Sequence, residues 1–182
     1  MIKTMEQSER DAVLAVADLM VTAAKTAPKG SGRDTVVAAV VTGDEKKQLA
    51  DVMRQLGKEY NEDFIVRDAG NVDSSICVVL IGCIDSPFGL GNCGFCGFEN
   101  CAQMKKAGTN CAFNVTDLGI AIGSAVSVAA DHRIDNRVMY SAGKGAIKIG
   151  FLPRDVKVCY GIPLNSTSKS IYFDRNPGSV LR

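Results

Sequence analysis

NVTDLGIAIGSAVSVAAD, residues 114–131, is the stretch whose reading decides the fold. Leu118, Ile120, Ile122, Val126 and Val128 spread apolar side chains over nearly the whole circumference of one helix instead of along a stripe. A helix that is apolar all round belongs inside a protein, so this segment is expected to be central and buried. Gly119 and Gly123 lie one turn apart on it and would let another helix approach closely. A chain of 182 residues is long enough to build one well-cored domain around such a helix and short for two.

Outward from this helix, the chain alternates helical and strand-like patterns. Val13, Val16, Ala17, Met20, Val21 and Ala24 recur at helical spacing and predict an amphipathic helix over 12–27. Ser8 is the expected cap, and Pro28, Gly30 and Gly32 are the expected stop. TVVAAVV at 35–41 and SICVVLIG at 75–82 are continuous apolar runs, rich in β-branched residues, and read as buried strands. Between them Leu49, Val52, Met53, Leu56 and Tyr60 predict a second helix from Asp44 to Asn61. Beyond the central helix the pattern gives a short strand near 137–140, a helix near 142–150 and a strand at 156–162. The tail, 163–182, is polar and turn-rich and carries no core signal. Helices alternating with buried strands place the chain in the α/β or α+β class, here taken as α+β with α/β-like alternation.

One segment breaks the pattern. Residues 83–113 are glycine-rich, have little apolar periodicity, and hold Cys93, Cys96, Cys101 and Cys111 as C-x2-C-x4-C-x9-C. Thiolates so close in sequence converge on one centre only if the chain wraps around something small, and iron–sulfur clusters are held by four cysteines in this way. Glycine follows both Cys93 and Cys96, where positive φ lets backbone N–H groups turn toward sulfur. The rival reading is structural zinc, which also accepts four thiolates but is commonly held by two C-x2-C knuckles across a longer gap. A thiol pair at Cys93 and Cys96 would leave Cys101 and Cys111 unexplained. Cys83, at a strand end, is a reserve ligand, whereas Cys77 and Cys159 sit inside strand runs and read as core.

The seven cysteines are an odd number, and their clustering points to metal or redox chemistry instead of a disulfide framework. A net charge of +1 with both signs interspersed gives no reason to expect nucleic acid or an anionic membrane as partner. MIKTMEQSERD lacks the apolar core of a signal peptide. The best membrane candidate, 118–130, is Gly-, Ser- and Ala-rich and falls short of the ~20 residues of a span. These features predict a cytoplasmic chain with no membrane partner. His132 is the only histidine, which argues against a Ser-His-Asp or Cys-His hydrolase; it reads either as a helix C-terminal residue or as a proton donor.

PFGLGNCGFCGFENC, 87–101, resembles the N-C-G-x-C-G-x-x-x-C motif of small 4Fe–4S domains in corrinoid iron–sulfur proteins and related electron-transfer subunits. Cys111 comes sooner than the fourth cysteine of that motif. The rest resembles the FMN-dependent nitroreductase fold: AAKTAP at 23–28 and VTGDEKKQLA after the first strand its opening, DLGIAIGSAVSVAADHRIDNR at 117–137 its central helix, and GFLPRDVKVCYGIPL at 150–164 its closing pattern. Taken together, the chain is similar to the uncharacterised ferredoxin-domain-containing proteins, a nitroreductase-like group with an inserted cysteine motif. The resemblance implies a three-layer nitroreductase-like domain over 1–182 with 83–113 as its cluster-binding insertion, and a 4Fe–4S cluster on Cys93, Cys96, Cys101 and Cys111. It further implies a homodimer and an electron-transfer or oxidoreductase role with an unidentified redox partner.

FMN is a second cofactor implied in the same way. The Arg-rich entry motif of nitroreductases is absent, so its phosphate is expected on Lys29, Ser31, Gly32 and Arg33, where glycine N–H groups and two cations stand together. Arg133, Asp135, Asn136 and Arg137 form a second-choice polar site, with Lys144 and the tail residues Ser166, Ser168, Lys169 and Arg175 behind it. The alternative function is a non-catalytic protein whose cysteines hold structural zinc or a redox-sensing cluster for partner binding.

Overall fold

The strand β2, Cys77–Ile84, is the spine of the molecule; all but its last residue are buried. A strand covered on both faces needs no polar alternation, which is why its sequence is an unbroken apolar run. The computed structural model describes residues 2–173, and the end of the tail, including Arg175, lies outside them. β1 (Val36–Val41) pairs antiparallel with one side of β2 and β4 (Val156–Asn165) antiparallel with the other; β3 (Asp135–Asn136) pairs with β4 at the far edge. The order is β1-β2-β4-β3.

Side chains alternate between two cores, one on each face of the sheet. Cys77, Val79, Ile81 and Cys83 of β2 face the first, which is covered by α1 (Met5–Thr26) and α5 (Ala112–Asp131). Val78 and Leu80 face the second, covered by α2 (Gly43–Tyr60), α3 (Asp63–Ser74) and α6 (Tyr140–Ile149). The result is a three-layer α+β domain. A further short helix, α4 (Cys101–Lys106), lies inside the cysteine-rich insertion.

Several expectations need adjustment. The first helix starts earlier than the apolar stripe: Thr4 caps it, accepting from Gln7 N–H while the Gln7 side chain returns a bond to Thr4 N–H, and Ser8 lies within the helix. α3 was not legible, because DFIVRDAGNVDS places Asp68 and Gly70 in a short pattern and so blurs its stripe of Ile65, Ala69 and Val72. The strand expected at 137–140 is the two-residue β3 just before it, plus an isolated bridge from Met139 to Gly161. The tail does carry a core anchor. Tyr172 is fully buried in the second core and shares a 2.7 Å hydrogen bond with Ser75 Oγ.

The central helix differs most. α5 buries Asn114, Asp117, Leu118, Ala121, Ile122, Ala125 and Ala129, while Gly119, Ile120, Gly123 and Ser127 are exposed. Gly119 and Gly123 meet nothing within 4 Å where a Cβ would stand, so among the described residues no helix approaches them closely. At 20 residues, α5 is also long and apolar enough by composition to cross a membrane, longer than the 118–130 run suggested. The close approach in this fold happens elsewhere. A Cβ on Gly143 of α6 would stand 1.8 Å from the Cys159 carbonyl oxygen, so α6 lies directly on the β4 backbone.

Candidate metal centre

The insertion leaves the sheet at the end of β2 and returns at α5, and a cavity forms between those two points. Cys93, Cys96, Cys101 and Cys111 line one cavity, together with Phe88, Leu90, Phe98, Met104 and Phe113. Its closed space is about 20 Å³, room for a single water. A larger group would therefore spread the 85–100 loop, which is held near its ends by Ser86 N–H on Asn114 Oδ1, Arg33 on the Pro87 carbonyl and Met104 N–H on the Asn100 carbonyl, and carries the Gly97 N–H to Gly94 O bond at 2.9 Å between them.

Each cysteine is placed by local structure. Gly94 and Gly97 adopt φ of 64° and 82°, the left-handed region that glycine occupies without steric cost, and so fold the chain back after Cys93 and Cys96. Cys101 opens α4, which Asn100 caps by accepting from Gln103 N–H at 3.0 Å. Cys111 is the N-cap of α5 and is buried, and its N–H donates to Asp85 Oδ1 at 3.2 Å. The cavity wall is aromatic. Phe113 stacks on Phe95 and tilts against Phe88, both at 5.2 Å between centroids, and Phe95 is 73% exposed at the rim.

The other three cysteines do not line this cavity. Burial pushes the Cys83 thiol up to about 11, helped by the neighbouring Asp85 and Asp117 carboxylates, so the reserve ligand sits as a neutral thiol in the first core. Burial likewise raises Cys77 and Cys159 to about 12.

The turn at 29–33 packs against the insertion. Lys29 Nζ donates to the carbonyls of Ala24, Lys25 and Ala27, closing the C-terminal end of α1. Arg33 bonds Ser86 Oγ and the Pro87 carbonyl and lies 4.9 Å from the centre of the Phe88 ring. Gly30 N–H donates to Asp117 Oδ1 at 3.0 Å, and the N–H groups of Gly32 and Arg33 close the turn on Lys29 and Gly30. Ser31 is exposed, with φ of 52°. The cations and most of the N–H donors expected to cradle a phosphate are thus engaged within the chain.

At the other polar site, Arg137 and Arg67 flank the buried Asp68 carboxylate, which also accepts from Ser141 Oγ at 2.7 Å. His132 ends α5, exposed, its N–H on the Val128 carbonyl. Two residues of the centre went unnoticed in the sequence, Asn114 and Asp117, both buried polar groups on an otherwise apolar helix. That contrast was the available signal.

These features define a three-layer nitroreductase-like α+β domain with a cysteine-lined insertion. Among solved structures, the nitroreductase CinD from Lactococcus lactis in complex with nicotinic acid aligns over 92% of this chain and 81% of its own, with a TM-score of 0.61 and 14% identity. NADPH:FMN oxidoreductase from Vibrio harveyi complexed with NAD+ aligns over 86% of this chain at a TM-score of 0.56 and 13% identity, and this chain spans 60% of its length. Nitroreductase A from Vibrio parahaemolyticus aligns over the same share of this chain at a TM-score of 0.56 and 13% identity, with 59% of its own length spanned. Such likeness establishes the fold alone. In sequence, an uncharacterized protein from Archaeoglobus fulgidus is 41% identical over 186 residues, covering 97% of this chain and 99% of its own. The profile of the family described as "Uncharacterized protein containing a ferredoxin domain" matches residues 107–175, from the approach to Cys111 through the buried part of the tail. The chain belongs to that ferredoxin-domain family.

Proposed function

We propose that this protein carries a 4Fe–4S cluster on Cys93, Cys96, Cys101 and Cys111 and works as an electron-transfer or oxidoreductase protein. The observation that carries the reading is the partition of the thiols: four line one cavity, while Cys77, Cys83 and Cys159 lie in the cores with raised pKa values. The spacing favours a cluster over zinc, which is commonly held by two C-x2-C knuckles across a longer gap, whereas this chain has one.

When bound, such a cluster supplies one-electron transfer. The chain's own residues do the rest. Gly94 and Gly97 turn the backbone around the cysteines, and Phe88, Phe98, Phe113 and Met104 keep water from the cavity. Arg33, held on the Phe88 ring, places a positive charge behind that wall. The exposed Phe95 at the rim suits contact with a redox partner. The reading includes a homodimer formed through the open Gly119–Gly123 face of α5, where small residues permit close helix contact, and a cytosolic location suited to seven free thiols.

Anaerobic purification followed by iron, sulfide, zinc and flavin analysis with an absorption spectrum tests this. About four iron and four sulfide per chain are expected. Zinc without sulfide would move the protein into a structural or partner-binding class. Co-purified FMN would make a flavin-assisted oxidoreductase the leading account and would require a phosphate site other than the engaged cations of the 29–33 turn.

A further inference from the structure

We infer that the side-chain amide of Asn114 donates a hydrogen bond to sulfur at the cysteine cavity and thereby raises the reduction potential of the group held there; the inference rests on the cluster reading above. Asn114 is 1% exposed, and the orientation of its amide is set by one bond: Oδ1 accepts from Ser86 N–H at 2.9 Å. Nδ2 therefore points away from Ser86, and it has no partner. Buried donors without partners are rare in native proteins, and each calls for an explanation such as a redox role or an absent ion or water.

Its position supplies one. Asn114 is the third residue after the N-cap Cys111, and helical side chains lean back toward the N-terminus, which carries this amide over the turn of the cysteine. The segment it bonds, at Ser86, runs two residues on into Phe88 of the cavity wall. Asn114 does not itself line the cavity, but its amide lies between the Ser86 segment that leads to Phe88 and the helix start that carries Cys111 into the lining. Asp117, one turn further along α5, is the other candidate partner. Its Oδ1 takes Gly30 N–H and its Oδ2 is buried and also unpartnered, so the two side chains do not satisfy each other. A donor bond to sulfur favours the state with more negative charge, which is the reduced one, so it raises the potential.

The test uses Asn114→Ala in the iron-loaded, full-length protein, with two readouts: the midpoint potential, and the hyperfine coupling of exchangeable protons to the reduced centre, compared in H2O and D2O. Reduction is expected to become roughly tenfold less favourable, a potential about 59 mV lower for a one-electron couple, with loss of one strongly coupled exchangeable proton. An unchanged potential overturns the inference and leaves the amide to a buried water bridging to Asp117. A lowered potential with every proton coupling retained also overturns it, assigning the effect to packing. If Asn114→Ala fails to hold iron, side-chain 15N-labelled asparagine in an Asn100→Asp background replaces it, because Asn100 also lines the cavity and Asp preserves its cap. A 15N coupling to the reduced centre is then expected, and its absence overturns the proposal. Wild-type protein without iron and sulfide fails the cluster reading itself and is recognised before any variant is made.

Discussion

At the scale of single residues, the cysteines of this chain separate by environment and not by type. Cys96 lies on an exposed, glycine-turned loop against a cavity, whereas Cys83 is 2% exposed and held neutral by burial. Cys96→Ser is therefore expected to lose most of its iron and the visible charge-transfer absorption, while Cys83→Ala keeps both. Iron and sulfide analysis of the two variants checks this, and full iron in Cys96→Ser would remove that residue from the ligand set. The four cavity cysteines were legible because their spacing is local. The supporting residues were not: Asp85 bonds the amide of Cys111, and Asn114 bonds that of Ser86, across 26 and 28 positions of sequence. No local pattern marks such a pairing.

At the scale of elements, periodicity located the long helices and both central strands, since each repeats its apolar residues over several turns or a continuous run. It failed where an element is short or buries a charge. α3 carries Asp68 on its inner face, satisfied by the adjacent Arg67 and by Arg137 and Ser141, which lie 69 and 73 positions further along the sequence. Packing between elements was equally hidden. Gly143 looks like an ordinary helical glycine, yet it lets α6 rest on the Cys159 carbonyl. Gly143→Ala forces backbone against backbone and is expected to cost about 1–3 kcal/mol or more. Gly70→Ala in α3, where nothing stands within 4 Å, is expected to gain about 0.5–1 kcal/mol from helix propensity. Urea unfolding midpoints of the two variants should move in opposite directions; a shared direction would refute the packing argument.

At the scale of the whole molecule, two predictions concern states of the entire chain. Cys77, Cys83 and Cys159 ordinarily titrate near 9.0 and are raised to about 12, 11 and 12 in the fold. Groups with raised folded values contribute stability that is complete below the unfolded value and is lost as pH rises through the folded one. Half-buried Lys46, whose value desolvation lowers, acts in the opposite sense and gains stability as pH approaches 10.5. Three thiols against one amine should leave unfolding resistance falling above about pH 9, and Cys159→Ala should make that fall shallower in urea titrations from pH 8 to 10.5. The second prediction concerns assembly. Gly123→Arg puts a long charged side chain on the open face of α5 and is expected to convert a wild-type dimer into a monomer in sedimentation velocity. A monomeric wild type would exclude that interface.

Sequence alone determined the ingredients: a long apolar helix, two apolar strands of which the second is buried and the first half-buried, and four cysteines close along the chain. These are local properties, carried by side-chain period and by the short reach of a glycine-rich loop. Tertiary structure decided which cysteines line one cavity, that Lys29 and Arg33 bond within the chain, and that the central helix keeps one face open. It also brought Asn114 and Asp117 to the insertion with unpartnered polar atoms. Those outcomes depend on burial and on contacts between distant segments, and a buried amide is distinguished from an exposed one only by what the rest of the chain packs around it.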